Sequence, residues 1–99
     1  MDIKLEQVRV ALRKDDHEYI NREIARLMIA AKASIYTATG FDKRKHFIPP
    51  ENKERFESLS NSFIIEYVRA YRDQVDNHVI LDGIAVQLEG LYKPLWSAP

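Results

Sequence analysis

Six apolar residues, Ile20, Ile24, Leu27, Met28, Ala31 and Ile35, step along the chain by three and four. That spacing gathers them on one side of a helix of 3.6 residues per turn, while Asn21, Arg22, Glu23, Arg26 and Lys32 mostly fall on the other. The stripe predicts an amphipathic helix from about His17 to Thr39, with Asp15 or Asp16 as its N-terminal cap and Glu18 suited to the positive helix end. Gly40 follows as a residue able to take the left-handed conformation that closes a helix. In a chain of 99 residues, one domain and one modest core are expected over 1–99.

The other elements are read against this helix. Leu5, Val8 and Leu12 predict a short first helix over about Leu5–Arg13. A third helix is expected from Pro50 or Glu51 to Gln74, since a proline pair disfavours helix before it and can open one after it. It carries two apolar stripes: Phe56, Leu59, Phe63, Tyr67 and Ala70, and, rotated from these, Ile64, Val68, Tyr71 and Val75. One partner helix cannot cover both. Either the first and last helices cover the second stripe, or it meets another subunit, which makes Ile64, Val68, Tyr71 and Val75 candidate interface residues. Asp82 is the expected cap of a short last helix carrying Ile84, Leu88 and Leu91. The fold expected is therefore all-α, a small bundle of about four helices, with a long basic loop over 41–52 joining the two long ones.

Two segments outside the helices attract functional readings. In the loop, Lys43-Arg44-Lys45-His46 is the one basic cluster. It is either a solvated loop tip or a stretch that faces nucleic acid through charge alone, with Lys43, Arg44 and Lys45 as the contacting candidates. Phe41 and Phe47 flank it and either stack on bases or pin the loop ends to the core. The tail over 92–99 holds Tyr92, Leu95 and Trp96. Pro94 is expected to direct it away from the last helix, so these three become candidate docking residues for a partner protein, where Trp is favoured as an anchor.

Catalysis is not written in the chain. His17, His46 and His78 are far apart and lack the spacing of a metal site; there is no cysteine, phosphate loop or nucleophile elbow. No catalytic residue, metal ligand or cofactor is expected, and the protein is read as a non-enzyme. The 15 basic residues balance the 15 acidic ones, whereas a dedicated duplex-DNA binder usually carries a basic surplus. A helix-turn-helix formed by the first two helices is further disfavoured by the acidic break Asp15-Asp16. A charged opening and the lack of a long apolar run point to neither a secretory signal nor a membrane span.

The order of elements resembles the small head–tail connector proteins (adaptor or head-completion proteins) of long-tailed phages with lambdoid-type DNA packaging. The opening Ile3-Lys4-Leu5-Glu6-Gln7-Val8-Arg9-Val10-Ala11-Leu12-Arg13 is similar to that family's first helix, and Asp15-Asp16 stands where the family has an acidic run. Ile24, Leu27, Ile29, Ala30, Ala31 and Ile35, closing on Thr39-Gly40, look like its long helix. Ile64-Ile65, Tyr67 and Tyr71-Arg72-Asp73 are similar in character to the next helix, and Gly83-Ile84 with Leu88 and Leu91 to the closing one. The basic loop with Pro49-Pro50, the run Val79-Ile80-Leu81 and the aromatic tail depart from the pattern. The resemblance implies a virion protein at the head–tail interface, assembled in the host cytoplasm. It would form a dodecameric ring of identical subunits below the portal protein, let double-stranded DNA pass without sequence recognition, and hold a downstream head-completion or tail protein. The alternative from the residues alone is a small helical regulator or antitoxin-type interaction module.

Overall fold

The computed structural model describes residues 3–97; the ends of the expected domain and tail, 1–2 and 98–99, lie outside the described residues. Helices α1 (Leu5–Ala11), α2 (Glu18–Thr39), α3 (Lys53–Asp73) and α4 (His78–Glu89) form a small helical bundle. Strands β1 (His46–Phe47) and β2 (Lys93–Pro94) form one antiparallel pair, an addition to the expected all-α fold.

The helix boundaries show which local rules won. Gln7 Oε1 accepts the backbone N–H of Lys4 at 2.8 Å, satisfying a free donor at the start of α1. The cap of α2 is His17, not Asp15 or Asp16: its Nδ1 accepts the Tyr19 N–H at 3.1 Å. Asp16 is drawn away instead, 3.3 Å from Arg9 of α1 and accepting from Asn21 Nδ2 at 2.8 Å, which ties the first two helices together. Gly40 closes α2 as expected, with φ +72°, a conformation that costs an L side chain about 1 kcal/mol or more. A 3-10 turn over Pro50–Asn52 leads into α3.

Helix α4 starts four residues earlier than the expected cap. Asn77 precedes its first residue, and Asp82 lies inside the helix, exposed. The β-branched run Val79-Ile80 reads locally as a link, but Leu81, Ala85 and Leu88 continue at helical spacing onto the bundle, and their burial decides the matter. The Asn77 side chain does not cap α4. It donates to the backbone oxygen and to Oε2 of Glu66, both at 2.9 Å, and so locks the α3–α4 corner.

The core runs through α3. Phe56, Phe63, Ile64 and Val68 are buried among Ile24, Leu27, Met28, Ala31 and Ile35 of α2, Val8 and Leu12 beside α1, and Ala85 and Leu88 of α4. Ile64 and Val68 are fully buried within the subunit, so the expectation that they face another subunit is corrected. The physical reason is that both belong to the one buried cluster that the four helices form together, which leaves only Tyr71 and Val75 of that stripe exposed.

The loop and tail are one structure. His46 pairs with Pro94 and Phe47 with Lys93, and the Leu95 N–H donates to Lys45 O at 2.9 Å. Tyr92 Oη donates to Thr39 O at 2.6 Å, and Asn52 Nδ2 to Leu91 O at 3.0 Å. Past α4, the tail around Pro94 runs along the loop: a proline tolerates the edge of a strand pair, and the backbone around it finds its partners there. Phe41, buried, gathers the joint, its ring centroid 5.4 Å from those of both Phe56 and Tyr92.

Two changes test this account. Phe63→Ala should cost about 3–5 kcal/mol in chemical denaturation, the usual loss for a buried Phe; an unchanged midpoint would place Phe63 outside the core. Tyr92→Phe should cost about 1 kcal/mol through the lost hydrogen bond to Thr39, read by the same measurement.

Candidate interaction surface

On one side of the bundle α2, α3 and α4 do not close on each other. They leave an open groove of about 450 Å³ whose walls include Ala33 and Ala38 of α2, Tyr67 and Tyr71 of α3, and Leu81 and Asp82 of α4. The small residues of α2 form one wall and the aromatic rings the other. The rings of Tyr67 and Tyr71 meet with centroids 4.4 Å apart and planes tilted by 32°, one helical turn separating them. Beyond Tyr71 a second depression, about 230 Å³, continues past Val75, Asp76 and His78. Tyr71 is thus shared by both hollows and is itself 62% exposed.

The apolar surface carries on over α4. Val79 is 71% exposed and Val86 65%, and seven residues apart they share one face of the helix, with Gly83 between them. An added Cβ at Gly83 would meet nothing within 4 Å. A helix that is buried on Leu81, Ala85 and Leu88 and apolar again on its far side presents more apolar surface than the subunit covers.

Ion pairs border the groove's end. His78 Nδ1 and Asp76 Oδ1 are 2.6 Å apart. The hydrogen bond between them raises the His78 pKa from its ordinary 6.5 and lowers that of Asp76 from 3.8, and their mutual attraction adds to both. Both groups are exposed, so solvent screens the pair. On the other side of α3, Arg72 lies 3.4 Å from Glu23 of α2 and 3.2 Å from Asp73, which in turn is 3.1 Å from Lys14 Nζ, fastening α1, α2 and α3 at one end.

The candidates from the sequence end up in three places. Tyr71 and Val75 lie on the groove, whereas Ile64 and Val68 are in the core. Of the tail residues, Tyr92 is tied inward to Thr39, Leu95 is 46% exposed and Trp96 87% exposed. Lys43, Arg44 and Lys45 are exposed at the loop tip. Arg44 folds back on Asp42, its Nε and Nη2 lying 3.3 and 3.2 Å from the carboxylate oxygens, which holds Asp42 below the usual carboxylate range. Its charge is therefore largely spent within the loop, leaving Lys43 and Lys45. Sequence reasoning missed Val79, Ile80 and Val86 of α4, because a reading that caps the helix at Asp82 leaves the first two ahead of it.

Among the described residues, no cluster of three or more His, Asp or Glu side chains is placed to hold a metal ion, and no helix is long and apolar enough to cross a membrane. Comparison of the chain with protein-family models, curated proteins and solved structures gives no match.

The His78–Asp76 pair has a definite pH signature. His78 is more basic in the folded chain, so its contribution is present below the unfolded value of 6.5 and is lost as pH rises through the raised folded value. Asp76 contributes above its unfolded 3.8 and loses that contribution as pH falls through its lowered folded value. Asp76→Asn should move the His78 midpoint, followed by proton NMR, down toward 6.5. A midpoint that stays put would mean the pair does not form.

Proposed function

We propose that this chain is a structural subunit that works by assembling with copies of itself, as a head–tail connector ring of the tailed-phage kind. The observation that carries the reading is the uncovered apolar groove at Tyr71 and Val75, continued over Val79 and Val86 of α4. Small cores are marginal, and apolar surface left open on a folded subunit is best explained by a partner that covers it. The order of helices, similar to that of connector subunits, supplies the kind of partner: neighbours in a ring, the portal protein above and a head-completion or tail protein below.

On this reading the subunit does no chemistry and holds no cofactor. It sits in the virion and shapes a channel. Neutral overall charge, with 15 acidic and 15 basic residues, suits a channel wall past which double-stranded DNA slides without being held. Lys43 and Lys45 at the loop tip are the groups placed to touch a phosphate backbone if that end lines the channel. A ring requires each subunit to present two different complementary surfaces, one to each neighbour.

Negative-stain electron microscopy of concentrated protein tests the reading. Closed rings with an open centre are expected, formed either by the protein alone or on an added phage portal ring. Particles that stay small under both conditions would overturn it, and a defined dimer would favour the small-regulator alternative. Tyr71→Lys should leave the thermal transition close to that of the parent, since the residue is 62% exposed, and should abolish ring formation. Rings that persist would remove the groove from the subunit contact.

A further inference from the structure

The strand pair at the loop–tail joint has two unlike faces. His46 packs inward against Tyr92, with ring centroids 4.5 Å apart. Side chains alternate along a strand, and directly opposed residues share a face. Phe47 and Lys93, opposed in the register, therefore lie on the outward face. Lys45 and Leu95, one step along and joined by the Leu95 N–H to Lys45 O hydrogen bond, fall on that same face. The joint thus presents two lysines around Leu95, followed by Trp96 at 87% exposure and with Lys43 nearby on the loop tip. Asp42 is the acidic residue of the loop itself and is taken up by Arg44, while Glu51, Glu54 and Glu57 belong to α3 and its lead-in. Trp96 is not among the groove's lining residues, so the subunit's own tail leaves the groove open.

The groove is the opposite kind of surface. Alanines and tyrosines form much of its walls, and its rim carries Asp82 and His78, the latter hydrogen-bonded to Asp76 of the adjoining hollow. One end of the chain offers an apolar knob with a surplus of positive charge, and another part offers an apolar hollow whose rim holds two carboxylates, Asp82 and Asp76, against one histidine. We infer that the groove of one subunit receives the Leu95-Trp96 tip of a second copy, with Lys45 and Lys93 of the tip facing Asp82 and Asp76 of the groove. The inference rests on the assembly reading and deepens it by naming both halves of the contact. Because the two surfaces differ, the contact is head-to-tail and adds subunits in one direction, which closes as a ring or continues as a filament. A standard interface covers about 800 Å² per partner, so two such contacts fit on a subunit exposing 6551 Å².

Trp96 is the only tryptophan in the chain and so reports on its own burial. Fluorescence and sedimentation are followed as the protein is concentrated toward the millimolar range. The expected result is a blue shift of the emission that tracks the growth in particle mass. Two variants separate the surfaces: a tip variant, Lys45→Glu with Trp96→Ser, and a groove variant, Tyr71→Lys with Asp82→Lys. All four positions are exposed, and unchanged thermal transitions establish that both variants fold. Each alone should associate about 30-fold more weakly or worse, the usual consequence of losing an anchoring Trp and its surroundings. Mixed in equal amounts, they should form a one-to-one dimer and nothing larger, because one intact tip and one intact groove remain. For the mixture, association is followed by sedimentation and by the blue shift of the groove variant's Trp96.

Emission that stays at its dilute position as wild-type protein is concentrated would overturn the inference. So would a tip variant that assembles like the parent, or a mixture with no heterodimer. Rings built equally well by the tip variant would overturn this contact while leaving the connector reading standing. Heterodimers from the mixture, with open filaments from the parent, would uphold the contact and remove the ring.

Discussion

Helix α3 has to be buried on two sides, and the arrangement of the whole chain follows from that need. Its stripes through Phe56 and Phe63 and through Ile64 and Val68 are set far enough apart around the helix that one partner cannot desolvate both. Helices α2 and α4, the latter returning antiparallel to α3, share in covering these faces, and one buried cluster joins all four helices. The corner that makes this return possible is short. Gln74 takes a left-handed conformation at the end of α3, with φ 54°, and Asn77 holds the turn by hydrogen bonds back to Glu66. Helix α1, only seven residues long, is too short to be stable alone and depends on its contacts with α2 and on the Arg9–Asp16 pair.

The same geometry creates the open surface. Three helices that meet along α3 leave a trough where α2 and α4 diverge, and the small residues Ala33 and Ala38 deepen it. Filling the trough from within would need larger side chains on α2. The chain instead lines it with aromatic rings and leaves α4 apolar on its outer face, a pattern that costs solubility unless something covers it. The loop–tail joint is the complementary case. A segment that would otherwise fray is pinned by a short strand pair, by Tyr92 to Thr39 and by Asn52 to Leu91, and this gives Trp96 a fixed base from which to project. An anchor held on an ordered base loses less entropy on docking than one on a free tail.

Much of this was open to a reading of residues alone. The stripe from Ile20 to Ile35 and the glycine after it determined α2 and its end, because helical periodicity and the left-handed conformation of Gly40 are local properties. The double stripe of α3 likewise announced a helix with two buried sides, and the balance of charge with the absence of catalytic spacing is a matter of composition. What the residues could not decide was which neighbour each stripe meets. Ile64 and Val68 look the same whether the subunit's own helices or another subunit covers them, and only the packing of the bundle assigns them to the core. The choice of His17 over Asp16 as a cap turned on competing partners outside the cap, Arg9 seven residues before and Asn21 five after, which claim the carboxylate. The tail's return to the loop rests on a pairing across some fifty residues, between His46-Phe47 and Lys93-Pro94, whose two-residue strands carry no periodicity to read. Local propensity thus determined where α2 and α3 lie, and long-range burial decided where α4 begins and what each helix face touches, since burial depends on the partner and not on the segment itself.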